Sequence, residues 1–381
     1  MSEITCNDWD GIYGQEGAIS FLKETLRRSE VPHALVFTGP RGVGKHTTAL
    51  IFAAAILCPS VKPDGCPSCL KVARGVHPDL HLVVAEGNII RREQITDLER
   101  ELNRKPAEAL RRSAIIDEAE AMNQEAANAF LKTLEEPPPE TFIVLVVESK
   151  ESLLPTVASR CHEVRFSALG KGEIEDFLVS REGLERAEAE RLARLSGGIF
   201  GRALLWARNP DLAAHWNRGV ELAAALRRSP LISMLERVEE ARKMLGDAAA
   251  PTRDNELDGY IKAMDKRSGE RLLKRWEERE KRETAKIRRQ AAFDLFDGMS
   301  SFYRDIMLLN LTEEGGRAPE AAPLLNLEWR EELEREALHI GTEESMRRLG
   351  VLQKARKTLE ANVNLGLLLD SLVLELRGEK R

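Results

Sequence analysis

The chain has 381 residues, 43% apolar and 31% charged, a globular balance in a length that exceeds one ordinary hydrophobic core and implies two or three domains. A formal net charge of −6 excludes a coat of positive charge for wrapping nucleic acid, so any DNA contact has to be local. No apolar run reaches the roughly 20 residues needed to span a bilayer, and the first ten residues carry no apolar signal region, so the expected location is cytoplasmic with no membrane partner.

In chain order, short β-rich apolar runs at 34–37, 80–84, 114–116, 142–147 and 164–166 alternate with helical periodicity, as at 47–57 and 95–102. That alternation predicts an α/β core built on a parallel sheet over residues 1–168. Short helices with no strand candidate follow over 169–208 and read as a small helical lid. From 209 to 381 the pattern is long amphipathic helices, interrupted at 250–255 and 313–319, and predicts an all-helical third domain. Aromatic residues make up only 5%, which suits Leu- and Ala-rich helices. The segment 262–290 holds twelve Lys and Arg against six Asp and Glu, on a predicted helix preceding another at 293–309. A solvated helix laced with ion pairs is the plain reading, and a basic face for DNA or an acidic partner is the alternative.

Gly39-Pro40-Arg41-Gly42-Val43-Gly44-Lys45 follows the first apolar run and opens an apolar helix, the strand-loop-helix setting that gives a phosphate loop its meaning. Gly39, Gly42 and Gly44 let backbone N–H groups converge on phosphate oxygens, and Lys45 neutralises the outer phosphates of ATP or ADP. The next position departs from the pattern. Ser or Thr belongs there to hold Mg²⁺, and this chain has His46. Thr47 is rotated about 100° around the helix and is a poor substitute, so Mg²⁺ should be held weakly.

Downstream, a strand ends in Asp117-Glu118, an aspartate placed to support Mg²⁺ through water and a glutamate able to orient an attacking water if hydrolysis occurs. Arg160 sits in a predicted turn between two strands, where an exposed guanidinium can reach a neighbouring subunit's γ-phosphate. Arg202 opens a lid helix and is placed to touch the nucleotide of its own subunit. Cys58, Cys66 and Cys69 present three thiolates suited to one tetrahedral Zn²⁺, and a closed site needs a fourth ligand. His77 and Asp64 are the candidates, with three unmetallated thiols as the alternative.

These features, taken with Ile12-Tyr13-Gly14-Gln15, Val31-Pro32-His33, Gly75-Val76-His77-Pro78-Asp79, Ser159-Arg160-Cys161, Phe302-Tyr303-Arg304-Asp305 and Asn362-Val363-Asn364, resemble the delta-prime family of bacterial DNA polymerase III clamp-loader subunits, in the AAA+ superfamily. The resemblance implies an AAA+ core, a lid and a helical collar for oligomerisation. It further implies a pentamer with delta and gamma/tau subunits that opens the sliding clamp and places it on primer-template DNA. Members of this kind act as stators: they bind nucleotide, hydrolyse it weakly or not at all, and contribute Arg160 in trans. The family pattern has a fourth cysteine where Pro63 stands, and Val147-Glu148 replaces a polar sensor. A hydrolysing gamma/tau-like motor is the runner-up, but its Gly-Lys-Thr loop is absent. A P-loop ATPase unrelated to replication leaves the collar-like segment and the Ser-Arg-Cys turn unexplained.

Overall fold

The computed structural model describes residues 9–59, 66–85, 89–248, 266–313, 324–360 and 364–378. The chain divides into two compact units, Met1–Ala203 and Leu204–Arg381. The first holds five parallel strands, β1 (Ala34–Thr38), β2 (Leu80–Val83), β3 (Arg112–Ile116), β4 (Thr141–Val146) and β5 (His162–Arg165), in the spatial order β2-β3-β4-β1-β5. All five expected strands form. Every residue of β1 and β3 is buried, the polar Thr38, Arg112 and Ser113 at their ends included, as in a sheet covered on both faces.

Side chains alternate across that sheet. Leu35 and Phe37 of β1 pack with α1 (Glu16–Arg28), α2 (Lys45–Leu57) and α3 (Pro67–Ala73), while Ala34 and Val36 face α4 (Arg92–Leu102), α5 (Gln124–Glu135) and the one-turn α6 (Pro155–Ala158). Helix α2 is buried from Thr48 to Leu57, so its loop is anchored on a helix that lies inside the core. The region read as a lid consists of α7 (Lys171–Glu182), α8 (Arg186–Leu195) and α9 (Phe200–Arg208). Tyr13 packs against Phe177 and Phe200, and buried Gln15 clasps Ser167, donating from Nε2 to its carbonyl at 2.7 Å and accepting from its N–H at 3.0 Å.

The second unit is helical: α10 (Pro210–Ala225), α11 (Leu231–Asp247), α12 (Lys266–Glu313), α13 (Arg330–Ala337), α14 (Thr342–Glu360) and α15 (Leu365–Arg377). The separate helices expected at 262–290 and 293–309 form one helix over the described part. Its 48 residues span about 72 Å, because no proline or turn signal separates the two patterns. Residues 262–265 and the side chains of Lys274 and Arg275 lie outside the described residues. Two other basic residues of this segment are engaged in packing. Arg288 donates to the carbonyl of Ala248 at 3.0 Å, and Arg289 lies over the Phe293 ring, which Arg356 also approaches.

Helices α10 and α12 cross at glycines. A methyl group on Gly219 would collide with the carbonyl of Leu295, and one on Gly298 with that of Trp216, so the two backbones touch. Beyond the crossing, fully buried Asp305 accepts from the N–H groups of Leu325 and Asn326 at 3.0 and 2.9 Å and from Asn326 Nδ2 at 3.0 Å, fixing the return of the chain. Glu336, 2% exposed, takes a two-pronged contact from Arg227 at 2.9 and 3.1 Å. Among the described residues no helix is long and apolar enough to cross a membrane.

Candidate nucleotide site

The loop between β1 and α2 has the backbone a phosphate cradle needs. Gly39 adopts φ 142° with the Phe166 carbonyl against its Cα, and Gly42 adopts φ 75° with Ile199 packed where a Cβ would sit, so a side chain is barred at both. Gly44 caps α2, whose first N–H groups face the loop. Lys45 is 7% exposed and folds back on the cradle, donating from Nζ to the carbonyls of Gly39 at 2.5 Å and Pro40 at 2.6 Å. Burial pushes its amine below the usual lysine range against the pull of Glu148, Glu120 and Asp117.

His46 stands where a metal-holding hydroxyl belongs and meets the acid end of β3. Its Nδ1 lies 3.2 Å from Oδ2 of buried Asp117, close but without hydrogen-bond geometry. Neither following threonine restores a hydroxyl to that place. Thr48 is fully buried and donates to the carbonyl of Gly44 at 2.9 Å, and Thr47 is one step further round the helix. Glu118 sits in the left-handed region at φ 50°, ψ 49°, an uncommon conformation for a non-glycine residue and one that clusters at functional sites.

Three residues not singled out as site residues in the sequence complete the surroundings. Arg41 forms an ion pair with Glu148 at the end of β4, and the Glu148 carbonyl accepts from the N–H of Gly39 at 3.0 Å. Glu120 is held above the usual carboxyl range by burial, with Glu148 and Glu118 adding to the shift. The signal for Glu148 was its place at the sensor position. Nothing in the motif marked Arg41 or Glu120. On the lid side, Gly201 donates its N–H to the carbonyl of Gly42 at 2.7 Å, placing Arg202, in the first turn of α9, beside the loop.

Arg160 occupies a turn before β5, as expected, but a one-turn helix precedes it that the sequence reading omitted. Its guanidinium is held within its own chain, donating to Oε1 of Glu135 at 2.5 Å and to the carbonyl of Thr156 at 2.8 Å. Cys161 beside it is buried, and its thiol is pushed up to about 11 by that burial, which marks it as packing and not as a nucleophile.

Cys58, Cys66 and Cys69 converge, with Sγ atoms 3.8 Å apart for Cys58 and Cys66 and 3.7 Å apart for Cys66 and Cys69. A tetrahedron with Zn–S bonds of about 2.3 Å has edges of about 3.8 Å, so the three sulfurs fit three corners of a zinc site. The suggested fourth ligand His77 does not join them among the described residues. Its Nδ1 accepts from the N–H of Asp79 at 3.1 Å and its Nε2 is 2.9 Å from Ser68 Oγ, so both nitrogens are engaged in holding the loop. Asp64 lies outside the described residues.

The family model described as DNA polymerase III, delta subunit, matches residues 14–170. The DNA polymerase III subunit delta' of Bacillus subtilis is 32% identical over 215 residues, 56% of this chain and 65% of that protein. That of Pseudomonas aeruginosa is 36% identical over 178 residues, 45% of this chain and 54% of its own length. A DNA polymerase III gamma subunit-related protein of known structure, from Thermotoga maritima, aligns over 94% of this chain and 99% of its own at 20% identity, with a TM-score of 0.44. The matched regions therefore span a little under two thirds and about half of the two curated relatives.

The parallel sheet, phosphate loop and acid-ended third strand define a P-loop module of the AAA+ class. Over residues 14–170 this module matches the DNA polymerase III, delta subunit, family model, and it is similar to the delta' subunits of the two curated relatives.

Proposed function

We propose that this chain is a clamp-loader stator: it binds adenine nucleotide, hydrolyses it weakly or not at all, and supplies Arg160 to the ATP site of a neighbouring motor subunit. In this reading the partners are delta and gamma/tau subunits in a pentamer, together with the sliding clamp and, through the assembly, primer-template DNA. The observation that carries it is the placement of His46 against Asp117. Position 46 offers no hydroxyl for Mg²⁺, and Glu148 puts a carboxylate, engaged by Arg41, where a hydrolysing subunit needs a neutral polar sensor. The same two positions disfavour the gamma/tau-like motor.

The helical lid and collar belong to this proposal, with Arg202 coupling lid to loop and Glu118 as the group to orient a water if hydrolysis occurs. Cys58, Cys66 and Cys69 are proposed to hold a structural Zn²⁺ through three thiolates, stapling α2 to α3. The test is reconstitution. Arg160→Ala in an otherwise native pentamer should lower turnover at the neighbouring site by about 10³-fold while this chain binds nucleotide as before. Unchanged loader ATPase would remove the finger, and fast turnover by the isolated wild-type chain would remove the stator.

A further inference from the structure

We infer that the phosphate loop takes its nucleotide without a divalent cation, so that the ligand is metal-free ADP or ATP. This rests on the nucleotide-binding reading above and states which ionic form of the nucleotide the site accepts.

Mg²⁺ at a P-loop needs an all-oxygen environment: a hydroxyl after the lysine, phosphate oxygens, waters, and a nearby carboxylate to hold those waters. The residues present do not fit that requirement. The side chain that replaces the hydroxyl is an imidazole, a donor suited to Zn²⁺, Cu²⁺ or Ni²⁺ and poorly to Mg²⁺. It also crowds the acid end of β3, with His46 Nδ1 3.2 Å from Asp117 Oδ2. The nearby hydroxyl of Thr48 is buried and donates to the Gly44 carbonyl at 2.9 Å.

What remains for phosphate charge belongs to the chain itself. The loop amides, the start of the 13-residue α2 and Lys45 need no ion to act. Lys45 has only to exchange two loop carbonyls, Gly39 and Pro40, for phosphate oxygens. Four carboxylates stand round the loop: Asp117, Glu118, Glu120 and Glu148. Two of them already have cationic or imidazole neighbours within the chain, Glu148 with Arg41 and Asp117 with His46. Charge opposite the phosphates is thus supplied by Lys45, the loop amides and the helix start, where a motor's site depends on an ion as well.

The test is a titration of the full chain with a fluorescent ADP, once in EDTA and once in Mg²⁺ in excess over nucleotide. Wild type should bind in EDTA within about threefold of its affinity in Mg²⁺, and His46→Thr should acquire a tightening by Mg²⁺ of about tenfold. Lys45→Ala should lose binding in both buffers. A wild-type affinity that falls tenfold or more in EDTA overturns the inference and leaves nucleotide binding standing. A His46→Thr chain that binds nucleotide yet remains indifferent to Mg²⁺ overturns the assignment to position 46. Absence of wild-type binding in both buffers overturns the nucleotide-binding reading and this inference with it.

Discussion

His77 shows how one buried ring ties stability to pH. It is 2% exposed and neutral, accepting at Nδ1 from Asp79 and meeting Ser68 at Nε2, and burial pushes its pKa below the ordinary 6.5 against the pull of Asp79 and Glu108, with Lys71 pushing the same way as burial. In the window between 6.5 and the depressed value the unfolded chain holds a proton that the folded chain refuses, so stability falls as pH falls through it. Asp79 acts in the same direction further down. Burial alone would raise its carboxyl, but three N–H donors, from Ala107, Glu108 and Ala109, outweigh that and hold it low, so their contribution is lost as pH falls below 3.8. Urea midpoints measured from pH 7.5 to 5.5 should decline, and His77→Gln should start lower and decline less; a parallel slope would assign the loss elsewhere. The sequence placed His77 among metal candidates because spacing from the cysteines says nothing about which way a ring turns. Cys66 and Cys69 were legible for the opposite reason, since a C-x-x-C turn leaves little freedom in where its sulfurs point, and Cys58 joins them from the end of α2.

Among the elements, those whose local pattern and burial agree are the ones visible in the sequence. The strands at 34–37 and 114–116 are apolar throughout because both faces of the sheet are covered. Long-range consequences were less visible: neither the pairing of Arg41 with Glu148 nor that of Arg160 with Glu135 has a local signature, being made by segments 107 and 25 residues apart. The crossing of α10 and α12 is a further case, because Gly219 and Gly298 read as mild helix weaknesses when each helix is taken alone. In contact they are the only residue type that fits, each with a facing carbonyl against its Cα. Gly219→Ala should therefore destabilise the helical unit by roughly 1–3 kcal/mol despite its better helix propensity. A guanidinium unfolding midpoint equal to or above wild type would show that the two backbones can part at no cost.

For the whole molecule, two compact units with separate cores predict two unfolding transitions in calorimetry. Nucleotide at about 100 times its dissociation constant should stabilise the unit carrying Lys45 by about 2.7 kcal/mol and leave the helical unit's transition in place. A single transition that moves as a whole on adding ADP would mean that the units unfold together. One contact in the first unit sets the conditions under which that ligand arrives. The carbonyl of Gly42 is already taken by the N–H of Gly201, so the loop is shaped before any phosphate reaches it. Its backbone ordering, about 1–2 kcal/mol per residue, belongs to folding and is not repeated at binding. Nucleotide capture should then carry little entropic penalty at this loop, because the chain has already given up that freedom in folding.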